Sequence, residues 1–75
     1  MITATLFQNL TGAIIGHDSL TTTGTIVFNN ASRGDVVSVN GVCTGKAKIE
    51  IDVATDPDTP VNFTAGNINF GFDIL

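Results

Sequence analysis

The stretch KAKIEIDVA, positions 46–54, decides the fold class of this chain. Its apolar and charged side chains alternate, with Ala47, Ile49, Ile51 and Val53 on one face and Lys48, Glu50 and Asp52 on the other. A period of two residues is the pattern of a β-strand that buries one face and exposes the other. The chain is therefore predicted to contain at least one strand of a half-buried sheet.

The same alternation recurs along the sequence. At the C-terminus, Ile68, Phe70, Phe72 and Ile74 share one face, and Asn69, Gly71 and Asp73 share the other. Weaker strands are predicted at 2–7, 12–16, 23–29, 35–39 and 60–64. No window repeats apolar residues at helical spacing, and strong helix formers are scarce, so we expect an all-β protein.

Turn signals separate these strands. The segment 29–34 is predicted to be a loop, and Asn40-Gly41 between two valines predicts a hairpin with a type I′ turn. Further turns are expected at 56–60 and 65–67. Short strands at this spacing predict a single domain, residues 1–75, that is a small antiparallel β-sandwich or a jelly-roll-like barrel.

The chain is too short to be stabilised by its core alone. It has 75 residues, and domains of this size bury only about 60% of the surface of the unfolded chain. Cys43 is the only cysteine and His17 the only histidine, so the chain can form neither a disulfide within itself nor a structural zinc site of its own. With 43% apolar and 13% charged residues, the composition favours a homo-oligomer or a subunit docked on a larger body.

The charge balance excludes some partners. Three basic residues against seven acidic ones give a net charge of −4 and a pI near 4.3. We therefore expect neither nucleic acid nor an anionic membrane as a partner. The N-terminus shows no targeting pattern, which predicts synthesis in the cytoplasm.

Residues suited to catalysis are few. His17 is expected in an exposed loop, Gly16–Ser19, and Cys43 is expected to be a small buried side chain next to the hairpin. No base is placed against a nucleophile, so we expect no catalytic residue, no cofactor and no enzymatic activity.

Three other motifs have simple structural interpretations. Asp52, Asp56 and Asp58 could offer carboxylates to a hard cation, but their spacing lacks the full calcium-loop pattern, and we expect a solvated turn without metal. Arg33-Gly34-Asp35 spells an adhesion tripeptide, which is explained by a turn glycine and a residue that opens a strand. The sequons at Asn9, Asn30 and Asn62 are expected to stay unmodified.

One pattern resembles a known class of proteins. TGTIVF at 23–28 followed by GDVVSVNGV at 34–42 is similar to a strand–loop–strand pattern of tailed-bacteriophage virion structural proteins of the cement or decoration type, a pattern that some bacterial surface β modules share. The resemblance implies a subunit of the virion, made in the host cytoplasm. It further implies a homo-oligomer, such as a homotrimer, that stabilises the capsid by bridging major capsid proteins.

The alternative function is a host- or glycan-binding β module, such as a piece of a tail fibre or adhesin. Sugar-binding surfaces usually use tryptophan or tyrosine, whose rings stack on the sugar while a polar tip stays in water. This chain contains neither, and its five aromatic residues are all phenylalanine. The absence of both residues counts against a lectin, whereas a module that binds a host through its loops stays an alternative to the structural subunit.

Overall fold

The protein consists of two packed β-sheets. The computed structural model describes residues 1–21, 23–53, 59 and 61–75. The strands in these residues are β1 (Ile2–Phe7), β2 (Ile14–Leu20), β3 (Gly24–Phe28), β4 (Val36–Cys43), β5 (Ala47–Ile51), β6 (Asn62–Phe63) and β7 (Gly66–Asp73). Across these described segments no helix of a length and apolarity able to span a bilayer occurs.

The larger sheet has four antiparallel strands in the order β2-β1-β4-β7. Strand β1 lies inside this sheet and pairs with β2 on one side and β4 on the other. Its buried side chains are Ile2, Ala4 and Leu6, the face that alternation predicts, and its bounds match the predicted strand 2–7.

The smaller sheet has three strands in the order β3-β5-β6. Strands β3 and β5 pair in parallel, whereas β5 and β6 are antiparallel. The parallel pair departs from the antiparallel arrangement expected from the sequence. Between β3 and β5 the chain crosses to the other sheet to form β4, so β5 can return in the direction of β3.

The core lies between the two sheets. Its largest fully buried side chains come from both sheets: Ile2, Leu6, Val37, Val39, Ile26, Ile49 and Ile74. The described strands form two separate sheets with no ladder between them, so the fold is a small sandwich and not a closed barrel. The predicted all-β fold class is confirmed.

The predicted hairpin at Asn40-Gly41 is wrong, because both residues lie inside β4. Gly41 has a φ of 131°, and a Cβ atom there would collide with the carbonyl oxygen of Met1. The glycine therefore lets the N-terminus pass close to β4 and does not form a turn. Strand β4 continues to Cys43 and pairs with β1 and β7 along its length.

The predicted loop Gly16–Ser19 is also wrong, because it forms the middle of β2. This segment has weak intrinsic β propensity, but pairing with the central strand β1 outweighs it. The absence of a side chain at Gly16 leaves room for the ring of Phe28, whose nearest atom would lie 2.9 Å from a Cβ at that position.

The other predicted strands are present with different bounds: 12–16 and 35–39 correspond to the longer strands β2 and β4, and 23–29 to the shorter β3. Predicted strand 46–54 becomes β5, and 60–64 becomes the two-residue β6. The loop at 29–34 is present, with Gly34 at a φ of 93°. The turn expected at 65–67 is reduced to a bend at Ala65, because β7 begins at Gly66. The turn expected at 56–60 lies outside the described residues apart from Thr59.

Candidate functional site

Two loops meet at one end of the sandwich through the carboxylate of Asp35. This residue is 3% exposed. Its Oδ1 accepts a hydrogen bond from the backbone N–H of Asn9 at 3.0 Å, and its Oδ2 accepts one from the N–H of Ser32 at 2.9 Å. The loop between β1 and β2 is thereby fixed to the loop between β3 and β4.

This arrangement bears on the tripeptide Arg33-Gly34-Asp35. An adhesion receptor would need a free carboxylate, but the Asp35 carboxylate is buried and holds two backbone donors. Arg33 is exposed in the turn, and Gly34 provides the positive φ of that turn. The structural interpretation of this motif is therefore the one that the geometry supports.

A cleft of about 400 Å³ opens between the same two loops. Its lining is mainly polar and consists of Gln8, Asn9, Leu10, Ile15, Asn30, Ser32, Arg33 and Asp35. Amides, a hydroxyl and a guanidinium can bind a polar ligand by hydrogen bonds. The cleft offers no thiol or imidazole, because His17 and Cys43 are not among the residues that line it.

His17 and Cys43 lie on opposite faces of the larger sheet. His17 is directly opposite Thr5, on the outer face, and is exposed. Cys43 points into the core, where its thiol donates to the carbonyl oxygen of Gly45 at 2.9 Å. The two side chains therefore cannot act together as a base and a nucleophile. The burial predicted for Cys43 is confirmed.

The acidic segment is described only in part. The Oδ1 of Asp52 accepts a hydrogen bond from the N–H of Ala31 at 3.1 Å, which ties the end of β5 to the loop after β3. Asp56 and Asp58 lie outside the described residues. In the part of the chain that is described, no three acidic, histidine or cysteine side chains are grouped so as to hold a metal ion.

The outer face of the larger sheet is almost free of charge. Cross-strand pairing builds two polar rows across it, Ser19–Thr3–Asn40–Asn69 and His17–Thr5–Ser38–Gly71. At one end of these rows Val42 is paired with Asn67 and lies beside Met1, whose terminal ammonium donates to the carbonyl oxygen of Val42. At the other end Phe7, Val36 and Asp73 are paired. In these paired rows Asp73 is the only acidic residue, and lysine and arginine are absent.

The outer face of the smaller sheet has the opposite character. Along and beside β5 it carries Lys46, Lys48, Glu50 and Asp52, all exposed. Lys48 and Glu50 form an ion pair with a distance of 3.3 Å between Nζ and Oε1. Exposed pairs of this kind stabilise a fold little but keep a surface hydrated. One outer face of the sandwich thus carries four charged side chains, whereas the paired rows of the other carry one, Asp73.

Comparisons of the chain with family models, with curated proteins and with solved structures give no match.

Sequence reasoning did not find the two polar rows or the cleft. Both depend on which strands are neighbours, and alternation within one strand does not reveal its partners. The cleft had one weak signal, since Asn9, Asn30 and Arg33 all fall in segments without strand character. The two polar rows also had a weak signal in the sequence, because serine, threonine and asparagine alternate with apolar residues in three of the predicted strands.

Proposed function

We propose that this protein is a structural subunit of a bacteriophage virion, of the cement or decoration type. In this role it has no enzymatic activity. It associates with itself and lies across junctions between major capsid proteins, which it holds together by burying surface. The observation that supports this proposal best is the uncharged outer face of the larger sheet, opposite a charged face on the smaller sheet.

The chemistry of the two faces explains why the larger sheet is the contact surface. The cores of protein interfaces are depleted of charged residues, because burial of an unpaired charge is costly. A face of threonine, serine, asparagine and apolar side chains can be covered without that cost, provided that its hydrogen bonds are replaced. The charged face, with Lys48 and Glu50 paired across it, is better left in water.

The test of this function is binding to particles that lack the protein. Purified protein is mixed with such particles, and co-sedimentation is measured at rising salt. Because the contact face carries few charges, attachment should survive moderate salt, which mainly screens exposed ion pairs.

Matched variants locate the contact. Asn40→Lys places a charge in a polar row of the uncharged face and should reduce attachment at least tenfold. Val27→Lys introduces the same side chain on the smaller sheet, directly opposite Glu50, and should leave attachment unchanged. Equal effects of the two variants, or no binding of wild type to any particle, would contradict the proposal.

The cleft favours a second candidate function, a host- or glycan-binding module. Its amide, hydroxyl and guanidinium groups match the hydrogen-bonding groups of a sugar or another polar ligand. Binding to a glycan array that Arg33→Ala abolishes, without binding to particles, would favour this function over the structural one.

A further inference from the structure

Strand β7 has an open edge. It is the last strand of the larger sheet and pairs only with β4 among the described strands. At eight residues it is longer than β2, β3 and β6, the other strands at sheet edges. Its register with β4 is continuous, whereas the pairing of the edge strand β2 is irregular between Leu6 and Phe7.

The hydrogen bonds of Ile74 show which backbone groups face this edge. The N–H of Ile74 donates to the carbonyl of Asp35 at 2.9 Å, and its carbonyl accepts from the N–H of Gly34 at 2.6 Å. Both groups of Ile74 therefore point toward β4. In an antiparallel ladder the direction of the backbone N–H and C=O groups alternates from one residue to the next. The backbone groups of Phe72, Phe70 and Ile68 therefore also point toward β4.

The backbone groups of the intervening residues then point away from β4. Asn67, Asn69, Gly71 and Asp73 direct their N–H and C=O groups to the open edge. The far side of β4 supports this assignment independently. Val42 exchanges two backbone hydrogen bonds with Met1, each of 3.2 Å. The backbone groups of Val42 therefore point toward β1, as the same alternation requires.

The edge also has few of the features that usually prevent strand pairing. Natural edge strands are protected by charged side chains, especially lysine, by proline or by a bulge. The sequence of β7, GNINFGFD, contains neither lysine nor proline, its one charged residue is Asp73 at its end, and its ladder with β4 has no bulge. A regular strand with four outward-facing residues is a template for another strand.

We propose that β7 pairs antiparallel with β7 of a second copy of this chain, about a two-fold axis. If the two cores are to remain continuous, each core-facing residue of one β7 must lie opposite a core-facing residue of the other β7. One register satisfies this condition and pairs all four outward-facing residues with one another. It places Asn67 opposite Asp73 of the second copy, and Asn69 opposite Gly71 of the second copy.

Charge and packing agree with this register. Each carboxylate of Asp73 lies opposite an amide and not opposite another carboxylate, which would be destabilising. Phe70 lies opposite Phe70 of the second copy, on the inner side of the sheet. This ring is only half-buried and contacts Phe63 edge-on at 5.8 Å and Phe72 at 6.3 Å between ring centroids. Pairing extends this aromatic cluster across the axis.

This interface deepens the self-association that is part of the proposed function, and it rests on that part. A two-fold pair closes with two copies, so the oligomer contains an even number of subunits and is not a simple trimer. The outer face of the larger sheet becomes continuous between the two copies. The surface proposed to contact the capsid is thereby doubled.

Asn69→Pro tests the interface. Its N–H faces the open edge, so proline removes no hydrogen bond to β4, and edge strands tolerate proline at such positions. Asn69→Thr keeps the N–H and is the matched control. In sedimentation at rising concentration, wild type and Asn69→Thr should be dimers. Asn69→Pro should be folded by circular dichroism, with a dissociation constant at least about tenfold higher, which corresponds to about 1.4 kcal/mol.

Cross-linking tests the register, also if Asn69→Pro fails to fold. In a Cys43→Ser background, Asn67→Cys and Asp73→Cys are made as separate variants. A mixture of the two, refolded together and oxidised, should form a disulfide-linked dimer, whereas each variant alone should not. Cross-linking of each variant alone to the same extent as the mixture would overturn the register.

Other outcomes separate the interface from the function. Unchanged dimerisation of Asn69→Pro would overturn the interface, and particle binding by wild type would be unaffected by that result. A dimer that Asn69→Pro abolishes, without binding to particles, would support the interface and contradict the capsid function. A wild-type chain that stays monomeric at high concentration would overturn the interface and the self-association together.

Discussion

Single residues in this fold often serve a neighbour in space and not in sequence. Asp35 follows a turn glycine and opens β4, as its position in the sequence predicts, but its carboxylate fixes two loops by accepting from Asn9 and Ser32. Gly41 has the sequence signature of a hairpin, yet it makes room for Met1. In both cases the residue type was informative, and the partner that explains it is distant in the sequence.

Removal of the Asp35 carboxylate should destabilise the fold. Asp35→Ala leaves two backbone donors without their acceptor, and hydrogen bonds to charged groups contribute about 1.5–3 kcal/mol each. We expect a loss of about 3–6 kcal/mol in the free energy of unfolding, measured by urea denaturation. Asp18 is exposed in β2 and accepts one hydrogen bond, from the N–H of Ser19 at 2.8 Å, so Asp18→Ala is the control and should cost less than about 1 kcal/mol. Equal costs would mean that the Asp35 hydrogen bonds contribute nothing.

A side chain at Gly41 should be poorly tolerated for two reasons. Gly41→Ala combines an unfavourable positive φ, worth about 1–3 kcal/mol, with a collision against Met1, worth about 1–3 kcal/mol. Gly66→Ala isolates the first effect, because Gly66 has a φ of 143° but no heavy atom within 4 Å of its Cβ position. Gly41→Ala should therefore lower the denaturation midpoint clearly more than Gly66→Ala. Similar midpoints would show that Met1 moves aside freely.

At the level of elements, alternation predicted the strands well where one face is buried. Strand β1 matches in its bounds, and β5 and β7 match in which residues face the core. Strand β2 was truncated in the prediction, since its conformation depends on pairing with β1 and not on its own composition. The parallel pairing of β3 with β5 was not predictable, because periodicity does not encode which strands are neighbours.

The two central phenylalanines of β7 should differ in their effect on stability. Phe72 is 9% exposed and belongs to the core, so Phe72→Ala should cost about 3–5 kcal/mol. Phe70 lies on the same face but is only half-buried, so Phe70→Ala should cost about 1–2 kcal/mol under conditions where the chain is monomeric. Urea denaturation at low protein concentration makes this comparison. A larger cost for Phe70 would place the centre of the core nearer the open edge.

For the whole molecule, the sequence predicted the class of function by elimination more than by any site. A small core, a single thiol and few charges favour a subunit that gains stability from contacts with its neighbours. The structure adds an asymmetry between the two outer faces, because Lys46, Lys48, Glu50 and Asp52 lie along and beside β5, whereas the paired rows on the outer face of the larger sheet contain only one acidic side chain, Asp73. The sequence could not show this asymmetry, since it arises only when β1, β2, β4 and β7 are placed side by side.

The stability of the protein should depend on its own concentration and on salt. If folding is coupled to association, the melting temperature rises with protein concentration.

Each chain has a net charge of −4, so two copies repel each other. Raising the ionic strength from about 0.01 M to about 0.15 M shortens the screening length from about 30 Å to about 8 Å. Association should therefore become tighter and the melting temperature higher, because the interface along β7 is made of backbone groups and, apart from Asp73, neutral side chains, so it contains no ion pair that salt would weaken. The melting temperature is measured by calorimetry at two protein concentrations and two salt levels. Asn69→Pro, which should lack the dependence on concentration, reports the influence of salt on the single subunit and so separates it from the influence of salt on association. A melting temperature of wild type that falls with salt would mean that attraction between charges holds the copies together, and the pairing of neutral edges would then be the wrong interface.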